Sequence, residues 1–130
     1  MAEEIQRSCV ATRVRRLNRQ ITRTYDELLR PLEMSGAQLT LLVGIALHPG
    51  VKAVQLGKAL DLERSTLSRN LARMVERGWV REKAAGAAVE LHPTSAGLDA
   101  LRCAYPAWLE AQKRAALKAA QLEPLLQRKA

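Results

Sequence analysis

The segment "AQLTLLVGIAL" at 37–47 limits the fold more than any other. Gln38 and Thr40 are its only polar residues, so a helix here has almost no face for water. It needs partners on nearly every side. Eleven residues fall far short of the roughly 20 that span a bilayer, so the partners are protein. Ser35 precedes it, with Gln38 three positions on, the pattern of a capping box. "HPG" at 48–50 ends it. The rest of the chain must therefore supply layers around one central helix.

The first layer is a long helical pattern over 5–29. Val10, Val14, Leu17, Ile21, Tyr25 and Leu28 recur at steps of four and three, a narrow apolar seam. Arg13, Arg15, Arg16, Arg19 and Arg23 occupy its other faces. Pro31 stops it, because residues before proline avoid the helical region. So narrow a seam fits packing against partner helices, including those of a second subunit. A short helix is expected in "KAVQLGKAL", with Val54, Leu56 and Leu60 inward.

"DLERS" is a tight connection, in which Asp61 or Ser65 is placed to cap the next helix. That helix runs to about Arg77 and stops at Gly78. Leu67, Leu71, Met74 and Val75 make one apolar face. Ser65, Thr66, Arg69, Asn70 and Arg73 make another, cationic and rich in donors. "WVREKAAGAAVELHPT" then reads as a short hairpin with Gly86 at its tip, although its alanines favour strands weakly. "TSAG" at 94–97 opens a last helical region with Leu98, Leu101, Tyr105, Trp108 and Leu109 as apolar positions. Pro106 should kink it, and Pro124 falls in a final short helix. The expected class is mainly α with a small β-hairpin wing: a short helix, tight turn, polar-faced helix and hairpin, the winged helix-turn-helix.

Lys and Arg number 21 against 13 Asp and Glu, a net charge of +8. Such an excess favours an anionic partner, nucleic acid or an acidic membrane surface, without choosing between them. "MAEEIQRS" has no apolar signal-peptide core, and no run spans a bilayer, so a cytoplasmic protein with no membrane partner is expected. Arg pairs bidentately with guanine, Asn with adenine, and Ser or Thr with a base or a phosphate. Ser65, Thr66, Ser68, Arg69, Asn70 and Arg73 bring that set onto one helix, whose N-terminus also favours phosphate.

"LDLERSTLSRNLARMVERGWV" resembles the core signature of the MarR family of transcription regulators. "RVRRLNRQITRTYDELLRP" resembles that family's first helix, "AQLTLLVGIALHPG" its second, and "LHPTSAGLDALRCAYPAWLEAQ" its hairpin exit and long dimerisation helix. The resemblance covers nearly the whole chain. It implies one domain over 1–130, with a DNA-binding lobe at 35–92 and dimerisation helices at 5–30 and 94–129. It implies a homodimer on a pseudo-palindromic operator in double-stranded DNA, usually a repressor, released by a small-molecule effector or an oxidant. Carried over by position, base and phosphate contacts fall on Ser65, Thr66, Ser68, Arg69, Asn70 and Arg73, with a phosphate contact on Arg64. The family's wing usually carries an Asp and Arg pattern near its tip, whereas "EKAAGAAVE" leaves only Arg81 and Lys83 nearby. The wing is thus expected to reach phosphates and to read little of the minor groove. The region after Trp108 is also short for the family.

The family's architecture brings the ends that bear Cys9 and Cys103 together. Some relatives sense peroxide through a Cys in the N-terminal helix, which makes both candidate redox sensors beside the ordinary reading of small core residues. Tyr25, Tyr105 and Trp108 are either apolar core or the lining of an effector pocket. His48 and His92 each precede a proline with no ligand at metal spacing, so capping or loop roles are expected and no metal or other cofactor. No phosphate loop, catalytic triad or carboxylate pair is present, and no enzyme is expected. The competing class is a winged helix used for protein contacts, or for an anionic surface, without operator specificity.

Overall fold

A computed structural model of the chain describes residues 1–120 and Pro124. Six helices and three strands follow one another as α1 (Ala2–Ser8), α2 (Val10–Leu29), α3 (Gly36–Leu47), β1 (Val51–Lys52), α4 (Ala53–Ala59), α5 (Arg64–Glu76), β2 (Val80–Ala85), β3 (Ala88–Pro93) and α6 (Ser95–Ala119). A single 3-10 turn, Arg30–Leu32, joins α2 to α3.

The central helix forms as its sequence demands. Ser35 accepts from the Gln38 N–H, and the Gln38 side chain answers to the Ser35 N–H, closing the capping box. Asp26 adds an acceptor from α2 for the Gly36 N–H at 2.8 Å. Leu41, Leu42 and Ile45 are wholly buried, and with Leu29, Met74 and Leu91 they form the middle of the core. Burying each such side chain contributes about 1.5–3 kcal/mol. Helix α3 is not covered all round, however: Val43 and Leu47 are exposed.

The N-terminal pattern is two helices rather than one. Cys9 leaves the helical region at φ −67°, ψ 109°, ending α1 and starting α2. Its N–H still bonds Ile5 O, and its carbonyl still accepts from the Arg13 N–H, so the break costs little of the ladder. No Gly or Pro marks it in the sequence. The seam of α2 lies mainly on α6, where Lys118 Nζ donates to the buried Thr24 hydroxyl at 2.6 Å.

The wing holds three strands, in the order β1-β3-β2, all antiparallel. The two-residue strand β1, too short to read from the sequence, pairs Val51 with Leu91. Its pairing turns the start of α4 so that Val54 points to solvent, while Leu56 is buried and Leu60 half-buried. Gly86, with φ +64°, makes the tight turn at the wing tip. Thr94 caps α6 by accepting from the Gly97 N–H at 3.0 Å. Helix α6 continues through Pro106 as one element. Pro124 is helical, but the short helix expected around it lies outside the described residues.

Candidate nucleic-acid interface

Helix α5 is fixed by its apolar face. Leu67, Leu71 and Met74 are buried against α3, α4 and the sheet, and Val75 is half-buried. The opposite face is thereby turned outward. Ser65, Arg69 and Arg73 are exposed on that ridge, and Arg64 and Ser68 are exposed on one flank. Thr66 and Asn70 lie half-buried on the other flank, where Asn70 Nδ2 donates to Thr66 O at 3.0 Å. One amide N–H of Asn70 is thus engaged within its own helix, and its second N–H and its carbonyl oxygen remain for another partner.

Neither Asp61 nor Ser65 caps α5. Glu63 is the N-cap and closes no side-chain bond. Asp61 instead takes a left-handed backbone, φ 51°, in the turn before it. The first N–H groups of α5 consequently have no side-chain acceptor and keep their partial positive charge for an anion.

On the wing, Arg81 and Lys83 are exposed and stand on one face of β2, opposite His92 and Glu90. Glu90 carries a carboxylate directly across from Lys83 and bonds His92 at 3.4 Å. The tip itself, Ala84 to Ala88, holds no cation. His48 caps the end of α3 through its backbone N–H to Gly44 O. Among the described residues no group of three His, Cys, Asp or Glu is arranged to hold a metal.

Arg77, at the end of α5, reaches across the fold. It lies 4.3 Å over the indole of Trp79 and donates to Glu33 O at 2.8 Å, with the Glu33 carboxylate at 3.4 Å. A contact 44 residues apart leaves no local signal, so sequence reasoning missed it.

A separate cavity of about 710 Å³ lies between α2, α3 and α6. Ile21 and Tyr25, Leu39 and Val43, and Leu101, Tyr105 and Trp108 line it, and none of its lining side chains is charged. Tyr105 and Trp108 stack with ring centres 5.9 Å apart. The Tyr25 hydroxyl bonds Gln112 on α6. The three aromatics singled out from sequence thus meet at one site.

Cys9 and Cys103 are both free thiols, half-buried and exposed respectively. The Thr12 hydroxyl, the Thr12 and Ala11 N–H groups at the start of α2, and the nearby Arg15 charge hold the Cys9 thiol below its ordinary value, against a smaller opposing effect of burial.

Comparison with known proteins places this architecture. A family model described as MarR family matches residues 32–88. The transcriptional regulator MosR of M. tuberculosis is 33% identical, over 82% of this chain and 78% of that one, with a TM-score of 0.74. This chain belongs to the MarR family. The multiple antibiotic resistance protein MarR of Escherichia coli (strain K12) is 34% identical over 64 residues, 49% of this chain and 44% of that protein. The match thus spans less than half the length of that curated relative. A mutant MarR from E. coli complexed with operator DNA shares the fold over 95% of both chains, with a TM-score of 0.78 and 24% identity. The mainly helical winged-helix fold of the MarR family is therefore the fold of this chain. No helix among its described residues is long and apolar enough to cross a membrane.

Proposed function

We propose that this chain is a sequence-specific DNA-binding transcriptional regulator, a homodimer that represses from a pseudo-palindromic operator. The observation that carries the reading is α5: an exposed ridge of Ser65, Arg69 and Arg73 beside an N-terminus with no side-chain cap. Arg69 and Arg73 read bases from the major groove, Ser65 and Ser68 contact bases or phosphates, and Arg64 holds a phosphate. Thr66 and Asn70 contribute at the edge of the groove. Arg81 and Lys83 add phosphate contacts from the wing. The chain acts in the cytoplasm and catalyses no reaction. The E. coli relative solved with operator DNA and the M. tuberculosis regulator solved with DNA support the partner.

Dimerisation falls on α1, α2 and α6. Ile5, Val10 and Val14 are exposed on the first two, and Tyr105, Leu109 and Leu117 on the last. So much apolar surface on the elements outside the DNA-binding lobe supports a subunit contact there. The cavity between α2, α3 and α6 takes a small-molecule effector, and its uncharged lining favours an apolar, neutral one. Cys9, with a thiol biased toward thiolate, is the better redox sensor of the two cysteines.

The test is to select DNA fragments with the purified protein and measure affinity for the selected duplex and a scrambled one across salt. A specific reader keeps its preference, while log affinity falls with log salt at about −0.9 per phosphate contacted. Equal affinity for both sequences would overturn operator specificity in favour of a protein-contact or anionic-surface module.

A further inference from the structure

One three-residue segment, Arg77-Gly78-Trp79, touches α5, the wing, the turn that follows α2 and the start of α6. It ends the recognition helix and begins the wing, since the Arg77 N–H closes α5 on Arg73 O and β2 starts at Val80. It also reaches the 3-10 turn that follows α2. Glu33, in the left-handed region at φ 52°, turns its carbonyl to Arg77 Nη1 at 2.8 Å. And it reaches the start of α6. The Thr94 N–H donates to Trp79 O at 3.1 Å, and the Thr94 hydroxyl donates to Gly78 O. Gly97 lies so close that a Cβ there would sit 2.2 Å from Trp79 O.

The Arg77 side chain bridges the end of α5 to the turn that follows α2. Its guanidinium lies over the buried Trp79 indole and donates to the Glu33 carbonyl, with 33% of the side chain exposed. A planar, forked donor held on an aromatic face has little freedom, so it resists rotation of α5 about its C-terminus.

We infer that Arg77 is a positioning residue, a clamp that fixes the recognition helix relative to α2 and α6 and thereby sets the half-site spacing the dimer accepts. This rests on the operator reading above. Two recognition helices must enter successive major grooves about one helical turn apart, so a small swing of each α5 changes which spacing fits. Arg77 acts through geometry and leaves the number of phosphate contacts unchanged.

The experiment compares wild type, Arg77→Ala and Arg77→Lys on the selected operator and on duplexes with one base pair added or removed between half-sites, across salt. The clamp predicts that Arg77→Ala binds all three duplexes within a few-fold of one another while wild type prefers its own spacing. It predicts that the salt slope stays at the wild-type value. If Arg77 instead touches a phosphate, the slope in Arg77→Ala falls by about 0.9 with the spacing preference intact, and the clamp is overturned. Should Arg77→Ala lose its cooperative melt, Arg77→Lys decides. It keeps the charge but has a point donor rather than a fork, so the clamp predicts a partly flattened preference and a phosphate contact predicts none. Hydrogen exchange without DNA separates this from the operator reading. The clamp predicts faster exchange of the Trp79 and Met34 amides in Arg77→Ala. Unchanged protection refutes the clamp even where wild type shows no sequence preference, a result that by itself overturns only the operator reading.

Discussion

Replacing Gly97 by Ala puts two physical effects in opposition. Gly97 lies in the first turn of α6, where alanine gains roughly 0.5–1 kcal/mol of helix propensity. The packing reverses the sign. An added Cβ would meet Trp79 O at 2.2 Å and Trp79 C at 3.0 Å, backbone atoms that cannot rotate away. Ordinary contact needs about 3.5 Å, so α6 or the Trp79 peptide must retreat by more than ~1 Å. That retreat strains the Thr94 N–H bond to Trp79 O, worth about 1 kcal/mol, and displaces the buried Trp79 indole. Forcing such overlap into a packed site costs typically 1–3 kcal/mol. After the propensity gain, Gly97→Ala should destabilise by about 2 kcal/mol, a fall in Tm of roughly 4–8 °C. Urea and thermal melts at one fixed protein concentration measure it, since a dimer's midpoint depends on concentration. Gly57→Ala is the matched control. Its nearest atom is the end of the Leu67 side chain at 2.8 Å, which can rotate, so its net change should stay within about 1 kcal/mol. A Gly97→Ala chain as stable as wild type would refute the close approach of α6 to the wing.

Other perturbations test other parts of the molecule. Arg69→Ala and Arg73→Ala should each weaken operator binding by roughly 1–3 kcal/mol with an unchanged melt, whereas Asn70→Ala should cost less because Asn70 is half-buried on the flank of the exposed ridge; equal losses at all three would contradict that ordering. Leu41→Ala, at a wholly buried position of α3, should lower stability by about 2–5 kcal/mol, read from the urea midpoint. Alkylation of Cys9, followed by peptide mass against pH, should reach half its maximal rate at lower pH in the folded chain than in urea. The folded thiol titrates lower because the Thr12 hydroxyl, helix N–H groups and Arg15 favour thiolate, so coincident profiles would dispose of the idea.

Much of the architecture was legible because it is local. The Ser35–Gln38 capping box lies within four residues, and the buried face of α5 repeats with the helix period. Gly78 at φ +74° and Gly86 at φ +64° occupy backbone states that glycine tolerates and other residues avoid, which is why they punctuate the sequence so clearly. The misses have the opposite character. The break at Cys9 carries no Gly or Pro, and the cap of α5 fell on Glu63 because the turn placed Asp61 in the left-handed region. Val54 looked apolar and inward, but β1 pairing with β3 turned it to water.

The sequence by itself determined the order of elements, the apolar and cationic faces of α5, and membership of a winged-helix family, since periodicity, caps and motif spacing are properties of neighbouring residues. Tertiary structure alone decided which distant groups meet. It carried the Arg77 side chain to Glu33 and left Arg69 and Arg73 exposed on the ridge. It brought Tyr25 to Tyr105 and Trp108 around one uncharged cavity. The physical reason is the same in both cases. A side chain's role is set by the partners that folding brings within a few ångströms, and those partners lie 44 and 80 or more positions away along the chain.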